Sequence, residues 1–143
     1  MAYENKISFD VRYSETDRMG IVHHSRYYPW FEMGRCAFMA HTGISYADME
    51  KKNLLVPLTQ SGAKYYEGAE FGDNVTVVTT LSQLGVVRCT FSYRVFRNGD
   101  QKLLAEGFTK HAFVMGDMKP INAKKKFPEI WQALEALLDG QGS

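Results

Sequence analysis

Residues 26–40 read Arg-Tyr-Tyr-Pro-Trp-Phe-Glu-Met-Gly-Arg-Cys-Ala-Phe-Met-Ala, and Tyr27, Tyr28, Trp30, Phe31, Met33, Cys36, Ala37, Phe38 and Met39 leave almost no polar face. A helix that is apolar nearly all round is a buried helix and must be covered by the rest of the chain. The economical cover is a curved antiparallel sheet wrapped around it, which places the chain in the α+β class. Strands to build that sheet are present. Ile7, Phe9, Val11 and Tyr13 alternate with Lys6, Ser8, Asp10 and Arg12, the period of a half-buried strand that should end near Ser14.

Thr42-Gly43 supplies a helix stop, and Ser45 with Asp48 three residues on predicts a capped short helix to about Lys52. Residues 54–66 read as a strand, irregular at Pro57 because proline cannot donate a ladder hydrogen bond. Gly68 and Gly72-Asp73 mark the next turn. Residues 74–84 and 86–97 follow as strands separated by Gly85, and Asn98-Gly99 is a strong hairpin signal. Residues 102–115 complete the set, with Leu104, Glu106, Phe108, Lys110, Ala112 and Val114 on one face and Leu103, Ala105, Gly107, Thr109, His111 and Phe113 on the other. Residues 127–138 carry Ile130, Trp131, Leu134, Leu137 and Leu138 at helical spacing, leaving 139–143 as the expected loose end. The predicted order is strand, buried helix, four strands in a meander and a final helix. An uncovered sheet edge and mixed-polarity strand faces call for a partner, so a homodimer or homotetramer is expected.

At 143 residues the length fits one domain spanning 1–143. A net charge of +1 is far from the basic balance of a nucleic-acid binder. No apolar run of signal-peptide or membrane-spanning length is seen, so the expected location is the cytoplasm. Cys36 and Cys89, two cysteines without metal-like spacing, read as small buried hydrophobes.

Just before the apolar helix stands the run Asp17-x-x-Gly20-Ile21-Val22-His23-His24-Ser25-x-Tyr27-x-x-Trp30-Phe31-Glu32-x-x-Arg35. A carboxylate, a flexible turn and a helix start fall together, with Ser25 as a good N-cap, and unpaired amides at a helix start suit an oxyanion. The run resembles the signature of the hotdog-fold acyl-CoA thioesterases of the 4-hydroxybenzoyl-CoA thioesterase type, including the subgroup found beside bacterial Tol-Pal genes. That resemblance implies a hotdog fold and hydrolysis of an acyl-CoA, or of an acyl group on acyl-carrier protein, without a cofactor. It also implies Asp17 as nucleophile or general base and the amides of His24 and Ser25 as the carbonyl-polarising groups. Gly20, Ile21, Val22 and Tyr27 fall beside them as substrate contacts, and Lys64, Arg88 and Lys110 are candidate contacts for the coenzyme.

Each of these residues has a plainer role available. Asp17 could be a turn-forming or capping aspartate. His23-His24 lacks the spacing of a metal site, because adjacent side chains diverge and no carboxylate or Cys supports them. Pro29 crowds the first helical turn if Ser25 is the cap, so the helix could start two or three residues later. Glu32 and Arg35 most simply pair with each other or bond backbone and partner groups, and Glu67 and Glu70 belong to their turn. Lys119 and the run Lys124-Lys125-Lys126 could meet phosphates or simply be solvated. A dehydratase of the same fold would carry a His–carboxylate pair and its own helix motif, not found here. A non-catalytic acyl-CoA-binding module would keep the pocket and lose the Asp17 carboxylate.

Overall fold

The computed structural model describes residues 3–138, so the tail expected at 139–143 lies outside the described residues. Its elements are β1 (Asn5–Asp10), α1 (Tyr27–His41), α2 (Tyr46–Lys51), β2 (Leu54–Leu55), β3 (Leu58–Tyr65), β4 (Asn74–Leu84), β5 (Arg88–Arg97), β6 (Lys102–Ala112), β7 (Val114–Met115), α3 (Ala123–Lys126) and α4 (Pro128–Glu135). Five strands form one antiparallel sheet in the order β1-β4-β5-β6-β3, and β2 pairs with β7. Helix α1 packs on β1, β4 and β5, so the sheet wraps the helix in the hotdog arrangement. Among the described residues no helix is long and apolar enough to cross a membrane.

Aromatic side chains hold the helix to the sheet. Phe31 stacks on Tyr93 at 4.6 Å, Phe38 meets Phe91 edge-on at 5.5 Å, and Trp30 meets Phe9 at 5.2 Å. Trp30, Phe31 and Phe38 are fully buried, each stabilising the fold by about 1.5–3 kcal/mol before entropy is counted. The approach is close enough to require glycine at two points. A Cβ at Gly34 would collide with Thr79 Oγ1, and one at Gly107 would lie 2.7 Å from Phe31 Cε2. Yet α1 is not covered all round, as its composition suggests, because one sheet covers one side of a cylinder. Pro29, Glu32, Met33, Cys36 and Ala40 are exposed on the described chain. Cys36 is therefore not the buried hydrophobe expected, whereas Cys89 is, and burial pushes its thiol up to about 12.

The strands are not a four-strand meander. Only β4, β5 and β6 run consecutively; β3 lies beyond β6 and β1 beyond β4, at opposite edges of the sheet. The chain must therefore cross from the β3 edge past β6 and β5 to β4, beside the β1 edge, between Tyr65 and Asn74. Strand β1 ends at Asp10, where its partner β4 begins at Asn74, and residues Tyr13–Glu15 form a 3-10 turn instead of extending the strand. Residues 54–66 divide into β2 and β3 on either side of Val56-Pro57, and residues 102–115 divide into β6 and β7 at Phe113, which lets β2 and β7 pair. Val95 faces Ala105 while Phe96 faces Leu103, so Leu104 is the extra residue of a bulge. That bulge buries Leu104 as well as Ala105, breaking the simple alternation of the two faces. The Asn98-Gly99 hairpin is present, but its positive φ falls on Gln101, at 59°. Ser45 and Asp48 form the expected capping box. The final helix is α4, starting at Pro128 and ending at Glu135, short of the expected Leu138, with the one-turn α3 before it, and Trp131 Nε1–H donates to Gly85 C=O at 3.0 Å.

Arg35 does not form an ion pair with Glu32 among the described residues. Its Nε donates to Tyr46 OH at 3.0 Å and its Nη1 to Tyr93 OH at 3.2 Å. Tyr93 OH is 2.6 Å from Thr109 Oγ1, which is 2.9 Å from His111 Nε2, and His111 Nδ1 is 3.1 Å from Val56 C=O. Guanidinium can only donate and a carbonyl can only accept, so both ends set the same direction along this buried row. Tyr93 donates to Thr109, Thr109 to Nε2, and a neutral Nδ1–H imidazole to Val56. Burial, with the Arg35 charge nearby, lowers the His111 pKa to about 4 from 6.5.

The unfolded chain therefore binds a proton as pH falls below 6.5 that the folded chain refuses until about 4. Stability from this group is complete above that window and is lost as pH falls through it. The unfolding free-energy gap between wild type and His111→Gln, measured in urea, should shrink by about 2 kcal/mol between pH 7 and pH 4.5. A gap that does not change with pH would show that His111 is not held neutral.

Candidate active site

After β1 the chain builds a small hairpin. Thr16 pairs with Val22, Asp17 N–H donates to Ile21 C=O at 2.8 Å, and Gly20 N–H donates to Asp17 C=O at 3.0 Å. Gly20 turns the corner at φ +80°, a conformation in which a side chain would be strained. Asp17 sits on the hairpin's first leg, half-buried, with Oδ1 accepting the Met19 N–H at 2.8 Å. That bond is an Asx turn, as the plainer role of Asp17 requires, and it leaves Oδ2 without a partner among the described residues.

Two residues earlier, Glu15 is buried. Its Oε1 accepts the Arg12 N–H at 2.9 Å, and its Oε2 accepts the Trp30 indole N–H from α1 at 2.7 Å. Burial by itself would raise the carboxyl pKa, but these bonds and the Arg12 side chain hold it below the usual carboxylate range. Sequence reasoning did not single out Glu15. Its only signal was an acid placed in the same short run as Asp17.

The helix start is in two stages. His24–Arg26 is a 3-10 turn that runs into α1 at Tyr27, and the cap is His23, not Ser25. His23 Nδ1 accepts the Ser25 N–H at 3.2 Å and lies 2.8 Å from Ser25 Oγ. Pro29 thus becomes the third residue of α1, where its missing N–H is one of those a helix leaves unpaired anyway. Among the described residues the backbone N–H of His24 has no acceptor. The Ser25 N–H, expected to act beside it, is already committed to His23.

The segment crossing from β3 to β4 forms the opposite wall. Val22 N–H donates to Ala69 C=O at 2.8 Å, and Tyr66 N–H and Glu67 N–H donate to the Leu104 C=O at 2.8 and 3.2 Å, which draws residues 66–69 across the Asp17 hairpin. Between them is a cavity of about 350 Å³ lined by Asp17, Met19, Ile21, Val22, His23, His24, Tyr27, Tyr65, Tyr66, Glu67 and Gly68. The Tyr65 ring lies 5.2 Å from Tyr27 and 6.2 Å from His24, closing one side with aromatic surface. Burial pushes the Tyr27 phenol up, so it stays a neutral wall.

Of the sequence candidates, Asp17, Ile21, Val22, His24 and Tyr27 line this cavity, while Gly20 shapes its hairpin and Ser25 lies behind His24. Lys64, Arg88 and Lys110 do not line it. Lys64 faces a different cavity, of about 660 Å³, with Arg94, Glu106 and Phe108. Lys110 sits over the Phe108 ring at 5.8 Å, and Arg88 begins β5 opposite Ala112. Lys124 rests over Trp131 at 4.9 Å, and Glu67 pairs with Arg97 at 2.8 Å.

A carboxylate and an unsatisfied backbone donor in one aromatic-walled cavity can attack or hydrate a carbonyl while its oxygen is held. Known proteins similar to this chain carry the names of thioesterases. The chain is 33% identical over 132 residues to a putative acyl-CoA thioesterase, YneP, of Bacillus subtilis, covering 92% of this chain and 95% of that one. It is 29% identical to the acyl-CoA thioesterase YbgC of Haemophilus influenzae over 92% of this chain and 98% of that one. It superposes on the crystal structure of a DHNA-CoA thioesterase from Staphylococcus aureus with a TM-score of 0.88 and 30% identity, covering 94% of this chain and 90% of the other. The model of the thioesterase-like superfamily matches residues 11–135, and the chain belongs to that family.

Proposed function

We propose that this chain is an acyl-CoA thioesterase, acting as one hotdog domain over residues 1–143 and releasing a free acid and a thiol. The observation that carries this reading is that Asp17 and His24, whose backbone N–H has no acceptor among the described residues, line one cavity. In it, Oδ2 of Asp17 either attacks the thioester carbonyl, expelling the thiolate and leaving an anhydride that water then hydrolyses, or takes a proton from water that attacks the carbonyl and expels the thiolate. The His24 N–H receives the negative charge that develops on the carbonyl oxygen. Coenzyme A is a good leaving group, so no strong general acid is needed. An acyl group on acyl-carrier protein presents the same thioester. Ile21, Val22, Tyr27 and Tyr65 supply the apolar surface against which the acyl group lies, and membership of the thioesterase-like superfamily supports the assignment.

The sheet ends at β3, which pairs on one side only and whose residues are mostly exposed. A second copy covering that edge gives the homodimer or homotetramer that the sequence suggests. Lys64, Arg88 and Lys110 lie outside their own subunit's cavity, so contact with the coenzyme phosphates would bring them to a neighbouring subunit's site. Light scattering at micromolar concentration should give the mass of a dimer or tetramer. A monomer there would remove the role of these cations across subunits.

Asp17→Asn keeps the shape of the side chain and removes its charge, so turnover of acyl-CoA should fall by at least about 100-fold. Purified, folded Asp17→Asn protein with near wild-type activity would end the assignment. A main-chain donor survives truncation of its side chain, so His24→Ala should lose far less activity than Asp17→Asn. His24→Pro removes the N–H itself and should be severe in protein that remains folded by circular dichroism. Equal, near-complete loss in His24→Ala and Asp17→Asn would point instead to an imidazole moving the proton.

A further inference from the structure

Both legs of the Asp17 hairpin meet at one residue. From Glu15 the chain runs through Thr16 into Asp17, and the Glu15 carbonyl accepts the His23 N–H at 3.1 Å, one residue before His24. The Glu15 side chain in turn bridges the Arg12 N–H and the Trp30 indole. Trp30 is fully buried and meets Tyr27 edge-on at 4.9 Å and Phe9 at 5.2 Å, so it does not move independently of α1 or β1. Helix, hairpin and helix start are thereby joined through one residue, the helix by its carboxylate and the helix start by its main-chain carbonyl.

Packing alone does not require a charge there. Burying a carboxylate costs several kcal/mol unless its oxygens are bonded, and an apolar side chain of similar volume would fill the space at less cost. The Arg12 guanidinium is 3.6 Å away and its side chain is 77% exposed, so it offsets little of that cost. The two N–H donors satisfy the charge, one from the cap of the 3-10 turn that leads into Asp17 and one from the helix that follows His24. A neutral amide cannot replace this bridge, because it carries one acceptor oxygen where two donors converge.

We propose that Glu15 is a positioning residue of the hydrolytic site: its carboxylate, bridging Arg12 N–H and the Trp30 indole, fixes the separation of the Asp17 carboxylate from the His24 N–H. This rests on the roles assigned above to Asp17 and His24. Glu15 touches no substrate, and it acts on the placement of the two groups that do. Misplacement of about 1 Å is enough to cost up to roughly 100-fold in turnover, while apolar binding of the acyl group depends far less on it. Loss of the bridge therefore falls on kcat and spares KM.

The test compares wild type, Glu15→Gln, Trp30→Phe, the double variant and Asp17→Asn as purified full chains, with kcat and KM measured on an acyl-CoA that wild type hydrolyses and folding followed by thermal unfolding. Glu15→Gln and Trp30→Phe are each expected to lower kcat by about 10-fold to 100-fold with KM changed less than about twofold. Because both cut the same bond, the double variant is expected to lose no more than the worse single one. Trp30→Phe keeps the aromatic ring, so it carries the test if Glu15→Gln does not fold. Wild-type kcat in folded Glu15→Gln or Trp30→Phe protein, beside an inactive Asp17→Asn, overturns this proposal and leaves the thioesterase reading standing. Multiplying losses in the double variant, or a loss confined to KM, also overturn it. An active Asp17→Asn overturns both.

Discussion

Everything in this molecule depends on how closely α1 lies against the sheet. Gly34 leaves room for Thr79, and Gly107 leaves room for Phe31, so the helix rests nearly on the strand backbones. That contact fixes the height of Trp30 above β1 and, through its indole, the position of Glu15. The start of α1 is consequently held from its buried side. Its other side, from Pro29 to Ala40, faces outward and does not take part in that positioning.

Local pattern made much of this readable. The apolar stretch at residues 26–40, the alternation in the strands, the Ser45 capping box and the turn at Gly20 are all encoded by neighbours in sequence, and each emerges close to where it was expected. What escaped depends on residues far apart. Burial of one helix face only, the bulge at Leu104, the Arg35 bonds to Tyr46 and Tyr93, and the neutral His111 follow from tertiary packing, for which no short window carries a signal. The strand order is the most consequential of these. Because β3 and β4 are not neighbours, the connection between them crosses the Asp17 hairpin, and Tyr66, Glu67 and Gly68 become a wall that a meander would have placed elsewhere.

The helix start also differs in kind from a simple helix terminus. Among the described residues the amide left open belongs to His24 in a 3-10 turn, while the Ser25 amide is satisfied by the His23 ring. A macrodipole acts over the first turn of an α-helix, and here α1 begins only at Tyr27. In the reaction proposed above, a developing oxyanion would therefore meet one N–H at the cavity, more than the accumulated dipole behind it. Direction is what the hairpin and its anchor supply.

The order of strands in the sheet also sets an order of events at the ribosome. Strand β1 and the Asp17 hairpin emerge first, but β1 has no ladder partner until β4 has been made, and β3 waits for β6. The helix that most needs covering is thus exposed, with two unpaired strands, while much of its cover is still being synthesised. Such long-range pairing slows closure of the sheet, because the intervening chain must be ordered before the contacts reward it. The same crossing that assembles the cavity leaves the apolar helix of the nascent chain without its full cover until the last long strand is out.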